Sequence, residues 1–144
     1  MRKKLFIDTN VWLRFIIGDD KNQLKACQKL FSLNEQGKFK LYTSTIVLME
    51  IAHTLRSFYA VSKKEIVSDL RDILSTRNLT LIEKTNFLKA LALFDKLKIK
   101  LVDCLIATQL PAKTVICTYD QEFRKIKTVT ALNPEEVLTS QNAD

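Results

Sequence analysis

Four carboxylates in this chain stand where an acid is costly. Asp8 follows the apolar run Leu5-Phe6-Ile7, and Glu50 interrupts Leu48-Met49-Glu50-Ile51-Ala52. Asp103 lies inside Leu101-Val102-Asp103-Cys104-Leu105-Ile106-Ala107, and Asp120 comes just after Val115-Ile116-Cys117-Thr118. An ionised carboxylate in such a setting costs several kcal/mol unless hydrogen bonds or a cation compensate it. One acid of this kind is ordinary: Asp8 alone reads equally well as the N-cap of the helix that follows it. Four call for a common cause. Carboxylates converging in one cleft repel each other unless protons or divalent cations lie between them, and an all-oxygen ligand set selects Mg²⁺ or Mn²⁺. By contrast, Glu65, Asp69 and Asp72 fall on a polar helix face, where solvation explains them.

Other chemistries find little footing. His53 has no second histidine and no Ser or Cys in a catalytic setting, so a core or surface role is preferred to general base. Cys27, Cys104 and Cys117 are odd in number, widely spaced and set among apolar residues, which suits reduced core thiols better than a disulfide or a zinc site; no bound zinc is expected. With glycine only at positions 18 and 37, a glycine-rich phosphate loop is excluded. Trp12, Phe58 and Tyr59 lie in apolar helices, where packing or a protein interface takes precedence over base stacking. Arg14 is a candidate phosphate contact.

The elements that must position the acids follow from periodicity and caps. Leu5-Phe6-Ile7, bounded by Arg2-Lys3-Lys4, reads as a strand buried on both faces, and the carboxyl ends of such strands are where ligands bind in open α/β sheets. A short helix from Val11 to Ile17 stops at Gly18-Asp19-Asp20, and either aspartate can cap a second helix with Leu24, Cys27, Leu30, Phe31 and Leu33 inward, ended by Gly37. Phe39 to Tyr42 is a strand, and Thr43, Ser44 and Thr45 offer caps for a helix over Ile46 to Tyr59 that carries Glu50. Ser62-Lys63-Lys64-Glu65 is a capping box opening a helix to Ser75, with Ile66, Leu70, Ile73 and Leu74 as its core stripe. A strand over Leu79 to Ile82 precedes a helix from Thr85 to Leu97 with Phe87, Leu88, Leu91, Phe94 and Leu97 inward. Leu101 to Leu110 is the helix of Asp103, stopped near Pro111, and Val115 to Cys117 is a further buried strand. Asn133-Pro134-Glu135-Glu136 starts a last helix, after which the final polar residues are expected to fray. Strands alternating with helices imply parallel strands and a three-layer helix–sheet–helix α/β sandwich with a short, mainly parallel central sheet.

At 144 residues, with 47% apolar residues, two Gly and two Pro, the chain fits one compact, helix-rich domain over residues 1–144. Its net charge of +7, from 23 Lys and Arg against 16 Asp and Glu, favours a polyanionic partner, with nucleic acid first. That signal is weak alone, because Lys21, Lys25 and Lys29 recur at helical spacing and fit a solvated face. No apolar run approaches the roughly 18 residues of a membrane span and no signal-peptide pattern opens the sequence, so a cytoplasmic protein with no membrane contact is expected.

Taken in order, Asp8-Thr9-Asn10 after a strand, Glu50 in a helix after Ser44-Thr45, the Asp103-Cys104-Leu105-Ile106-Ala107 helix start and Thr118-Tyr119-Asp120-Gln121-Glu122-Phe123 after another strand resemble the PIN-domain ribonucleases, most closely the VapC-type toxins of toxin–antitoxin pairs. The resemblance runs from about Leu5 to Leu132; Arg14 and the Gly18-Asp19-Asp20 turn also fit. Cys104 and Thr108-Gln109 depart from it, standing where small residues are common, but they spare the acids. The resemblance implies that Asp8, Glu50, Asp103 and Asp120 gather around one or two Mg²⁺ or Mn²⁺ ions, Asp8 and Asp103 most directly, with Asn10 and Thr118 orienting them through hydrogen bonds. Local roles for these two, Asn10 as a helix cap and Thr118 as a turn hydroxyl, stay open. The implied activity is metal-dependent hydrolysis of RNA phosphodiester bonds. The implied partners are an RNA substrate, an antitoxin protein and a second copy in a homodimer, with the apolar helices between Ile46 and Leu74 as the docking region. Rival readings are an RNA-processing PIN nuclease without an antitoxin, a non-catalytic PIN-like scaffold that binds RNA or protein, and a phosphorylatable receiver domain. The last fits poorly, because Leu79 to Ile82 is followed by Glu83 rather than a phosphoacceptor Asp.

Overall fold

The computed structural model describes residues 2–143. Its five strands are β1 (Lys3–Ile7), β2 (Phe39–Ser44), β3 (Leu79–Ile82), β4 (Thr114–Cys117) and β5 (Thr130–Leu132). All pairings are parallel, in the order β3-β2-β1-β4-β5, so β1 is the central strand. Leu5 registers with Leu41 on one side and Val115 on the other. Because helices cover both faces of this sheet, Leu5, Phe6 and Ile7 are all fully buried, which is why the strand shows no alternation in sequence.

Seven helices flank the sheet as the outer layers of the sandwich: α1 (Thr9–Ile17), α2 (Lys21–Glu35), α3 (Thr45–Ser57), α4 (Lys63–Leu74), α5 (Phe87–Lys96), α6 (Leu101–Gln109) and α7 (Pro134–Ala143). Five of them, all but α1 and α6, start at side-chain oxygens that accept orphan amides of the first turn. Asp20 Oδ1 accepts from Gln23 N at 3.0 Å, Ser44 Oγ from Val47 N at 3.3 Å, and Ser62 Oγ from Glu65 N at 3.2 Å. At Asn133 the box is reciprocal: Glu136 N donates to Asn133 Oδ1 at 2.8 Å and Asn133 N donates to Glu136 Oε1 at 3.0 Å. Gly18 ends α1 in the left-handed region at φ 69°, where an added Cβ would come 3.0 Å from Leu24 Cδ2. The fraying expected of the last polar residues is not what the backbone shows up to Ala143, where α7 continues; Asp144 lies outside the described residues.

Several expectations are corrected. β5 and a 3₁₀ turn over Gln121–Lys125 extend the β4 side of the sheet beyond what periodicity indicated. α1 begins at Thr9, and neither Thr9 nor Asn10 caps it. On α5 the apolar residues expected inward face outward: Phe87, Leu91 and Phe94 are exposed and Leu88 is 82% exposed. The buried residue of this helix is Ala90, with Leu93 and Leu97 partly covered. α5 is a peripheral helix packed chiefly on α6, so only the narrow stripe through Ala90 finds a neighbour. Leu74, at the end of α4, is likewise exposed rather than core. Trp12 is buried and stacked on Phe31 with ring centroids 4.9 Å apart, a packing role. The three cysteines are buried free thiols, and His53 is exposed. No helix among the described residues is long and apolar enough to cross a membrane.

Candidate active site

The carboxyl ends of β1 and β4 lie side by side, joined where Asp8 N donates to Cys117 O at 3.0 Å. This junction puts Asp8, which directly follows β1, next to the Thr118-Tyr119-Asp120 segment that directly follows β4. Asp8 occupies the N-cap position of α1, but its side chain makes no cap bond. Instead Thr118 Oγ1 donates to Asp8 Oδ2 at 2.7 Å, and the Thr9 amide adds a second bond to the carboxylate. The Thr118 hydroxyl, having given its one proton, accepts twice: from Asp120 N at 2.9 Å and from Asn10 Nδ2 at 3.3 Å. Asn10 Oδ1 in turn accepts from Tyr119 N at 2.9 Å. Asn10 and Thr118 thus clamp the two strand ends together and leave Asp8 a single orientation.

Helices bring the other acids. Glu50 sits in the second turn of α3, where Thr9 Oγ1 donates to its Oε1 at 2.9 Å. Sequence reading did not anticipate this bond; a hydroxyl beside Asp8 was its only local sign. Asp103 projects from the first turn of α6 and is 6% exposed, and its buried Oδ2 has no hydrogen-bond partner among the described residues. Asp120 Oδ1 accepts from Glu122 N at 2.9 Å, capping the 3₁₀ turn.

The electrostatics follow from burial and from the acids' mutual repulsion. Burial lifts Asp8 from 3.8 to about 6 against the opposing bonds from Thr118 and Thr9, and Glu50 and Asp120 push it further. Asp103 is lifted to about 7, first by burial and then by Asp120, Asp8 and Glu50, while Lys100 opposes the rise. Glu50 is also raised by burial, opposed by its Thr9 bond and by Lys100. The four acids therefore share one electrostatic environment. Among the described residues no three of them are drawn tightly enough to form a ready-made metal cage. The donor set still fits a hard divalent cation: all its ligands are oxygens, one buried oxygen lacks any partner, and the site carries excess negative charge that a cation offsets. Arg14 is turned elsewhere, its Nε donating to Gln23 Oε1 at 2.6 Å and its Nη1 lying 3.5 Å from Asp19.

Residues 5–129 match the PIN domain family, a stretch that includes all four acids. The chain belongs to the PIN domain family. Two solved structures resemble this PIN domain. One is a chain of VapBC2 from Rickettsia felis bound to a DNA fragment from its promoter, with a TM-score of 0.64 and 22% identity over 90% of this chain and 98% of that one. The other is PAE2754 from Pyrobaculum aerophilum, with a TM-score of 0.67 and 14% identity over 100% of this chain and 98% of that one. At such identities the likeness speaks for the fold. No curated protein matches the sequence.

The clamp makes a specific prediction for this PIN domain. Thr118→Val removes the hydroxyl that favours ionised Asp8, so the Asp8 carboxyl should titrate above its present value of about 6. Two amide donors are left without their acceptor, at a cost of about 1–3 kcal/mol. Carboxyl-detected NMR titration and urea denaturation measure the two effects.

Proposed function

We propose that this protein is a single-domain, Mg²⁺- or Mn²⁺-dependent endoribonuclease of the cytoplasm, the toxin of a toxin–antitoxin pair. Asp103 carries the reading: an almost fully buried carboxylate with an unpartnered oxygen, sharing its charge environment with three other acids at the mouth of a parallel sheet. A fold gains nothing in stability from such a group, whereas a metallonuclease needs one.

Asp8 and Asp103 are the residues to hold one or two ions most directly, with Glu50 and Asp120 completing the set directly or through water. When bound, a divalent ion would ease the deprotonation of water and offset the negative charge that builds on the phosphoryl and leaving oxygens. The protein's own part is positional. Thr118 and Asn10 fix Asp8, and Thr9 fixes Glu50. Glu50, its carboxylate held by the Thr9 hydroxyl, is placed to take a proton from the attacking water. The net charge of +7 favours RNA over an uncharged substrate.

The likeness to a chain of the VapBC2 complex supports an antitoxin partner. Exposed Met49, Phe58, Val67 and Leu74 on and beside α3 and α4 support docking of that partner or of a second copy there, and the exposed stripe of α5 is a further apolar surface. Protein freed of its antitoxin should cut RNA in Mg²⁺ or Mn²⁺ and leave 5′-phosphate ends. Cutting that persists in EDTA, or products ending in a 2′,3′-cyclic phosphate, would refute the metal mechanism.

A further inference from the structure

A cluster of acids repels the phosphates of its own substrate, so a bound RNA strand needs cations on the rim. Lys100 is placed there by the backbone of the site. Its carbonyl accepts from the N–H groups of Asp103 and Cys104, both at 3.1 Å, so it begins the helix that carries Asp103. Its charge reaches both Glu50 and Asp103. It follows a bend over residues 97–99, in which Ile99 is buried while Lys98 and Lys100 on either side of it are exposed.

Lys98 and Lys100 line an open groove of about 540 Å³ together with Phe94, Leu97, Ile99 and Glu122. Glu122 does not neutralise them, because its carboxylate pairs with Lys125 at 2.6 Å, and Lys125 Nζ donates to Lys98 O at 3.4 Å. Among the described residues neither Lys98 nor Lys100 forms an ion pair. Phe94 presents an exposed ring along the same groove. Unpaired cations beside an open aromatic ring, with Lys100 at the start of the helix that carries Asp103, make the combination that holds single-stranded nucleic acid.

We infer that this groove carries the single-stranded RNA flanking the scissile bond, with Lys98 and Lys100 each against a backbone phosphate and Phe94 against a base. The inference rests on the ribonuclease reading above. A second basic hollow, around Lys63, Lys64 and Arg71 on α4, touches none of the four acids and supplies the control.

The test measures binding of a fluorescein-labelled 12-nucleotide single-stranded RNA by anisotropy, in EDTA between 50 and 200 mM KCl. Asp103→Asn serves as the parent, to prevent cutting. Adding Lys98→Met and Lys100→Met should flatten the slope of log affinity against log salt by about 1.4, or about 0.7 for each phosphate that is no longer neutralised. Phe94→Ala should weaken binding about tenfold with the slope unchanged. The same RNA annealed into a blunt duplex should bind more weakly than the single strand. Lys63→Met with Lys64→Met should alter neither slope nor affinity. An unchanged slope in the Lys98/Lys100 variant, or an equal change in the α4 control, overturns the groove while leaving the nuclease reading intact if the wild-type protein cuts RNA. Absence of both RNA cutting by the wild-type protein and RNA binding by every form overturns the nuclease reading and the groove with it.

Discussion

Asp103→Asn is expected to lower RNA cleavage by about 100- to 1,000-fold, the range for removing one group that acts on developing charge, and at the same time to make the metal-free protein more stable. The two effects have one cause. Asp103 has a folded-state pKa of about 7 against 3.8 for the free group, so the folded protein binds its proton more tightly than the unfolded chain does. The stability that comes from this difference is fully present below about pH 4 and is lost as the pH rises through about 7. Above that pH the wild-type protein keeps an unpartnered buried charge, at a cost of up to a few kcal/mol. Asparagine has nearly the same shape and no charge. Urea denaturation in EDTA should therefore find the variant no more stable than wild type near pH 4 and more stable near pH 8. A variant that is less stable at pH 8 would mean that Asp103 has a structural partner after all.

The second large effect concerns pH and metal together. Asp8 at about 6, Asp103 at about 7 and Glu50 with its raised pKa all shed protons as pH rises, and their mutual repulsion grows. In metal-free buffer these groups should lower the melting temperature between pH 5 and pH 8. A divalent cation binds only the ionised acids, so its stabilising effect should follow the opposite course. At 100 times its dissociation constant a ligand adds about 2.7 kcal/mol, or roughly 5–10 °C for a chain of this size. Differential scanning fluorimetry should show that rise with Mn²⁺ at pH 8 and less than half of it at pH 5.5. Equal shifts at the two pH values would place the ion elsewhere, for instance on the polar face of α4 that carries Asp69 and Asp72.

Features that rest on burial and local capping were legible in the sequence. Three consecutive apolar residues before Asp8 mark a strand covered on both faces, and an acid inside the apolar Leu101 to Leu110 helix can only be buried or deliberately exposed. Both signals are local. Thr9 meeting Glu50 and Lys100 reaching Glu50 are interactions between residues 41 and 50 positions apart, which leave no trace in periodicity. α5 shows a different limit. Hydrophobic spacing identifies the apolar face of a helix but not whether a neighbour covers it, so Phe87, Leu88, Leu91 and Phe94 read as core and lie on the surface. Arg14 resembled a phosphate ligand by position, yet its guanidinium is taken up by Gln23 and Asp19 of the next turn and helix. β5 spans three residues, too few for any alternation to stand out.

The central claim is that Asp8, Glu50, Asp103 and Asp120 form one divalent-cation site. Calorimetric titration of the metal-free protein with Mn²⁺ at pH 7.5 tests it most directly. Saturable binding of one or two ions, accompanied by proton release and abolished in both Asp8→Asn and Asp103→Asn, is the predicted result. Binding that survives either substitution unchanged, or no binding by the folded wild-type protein, would contradict it.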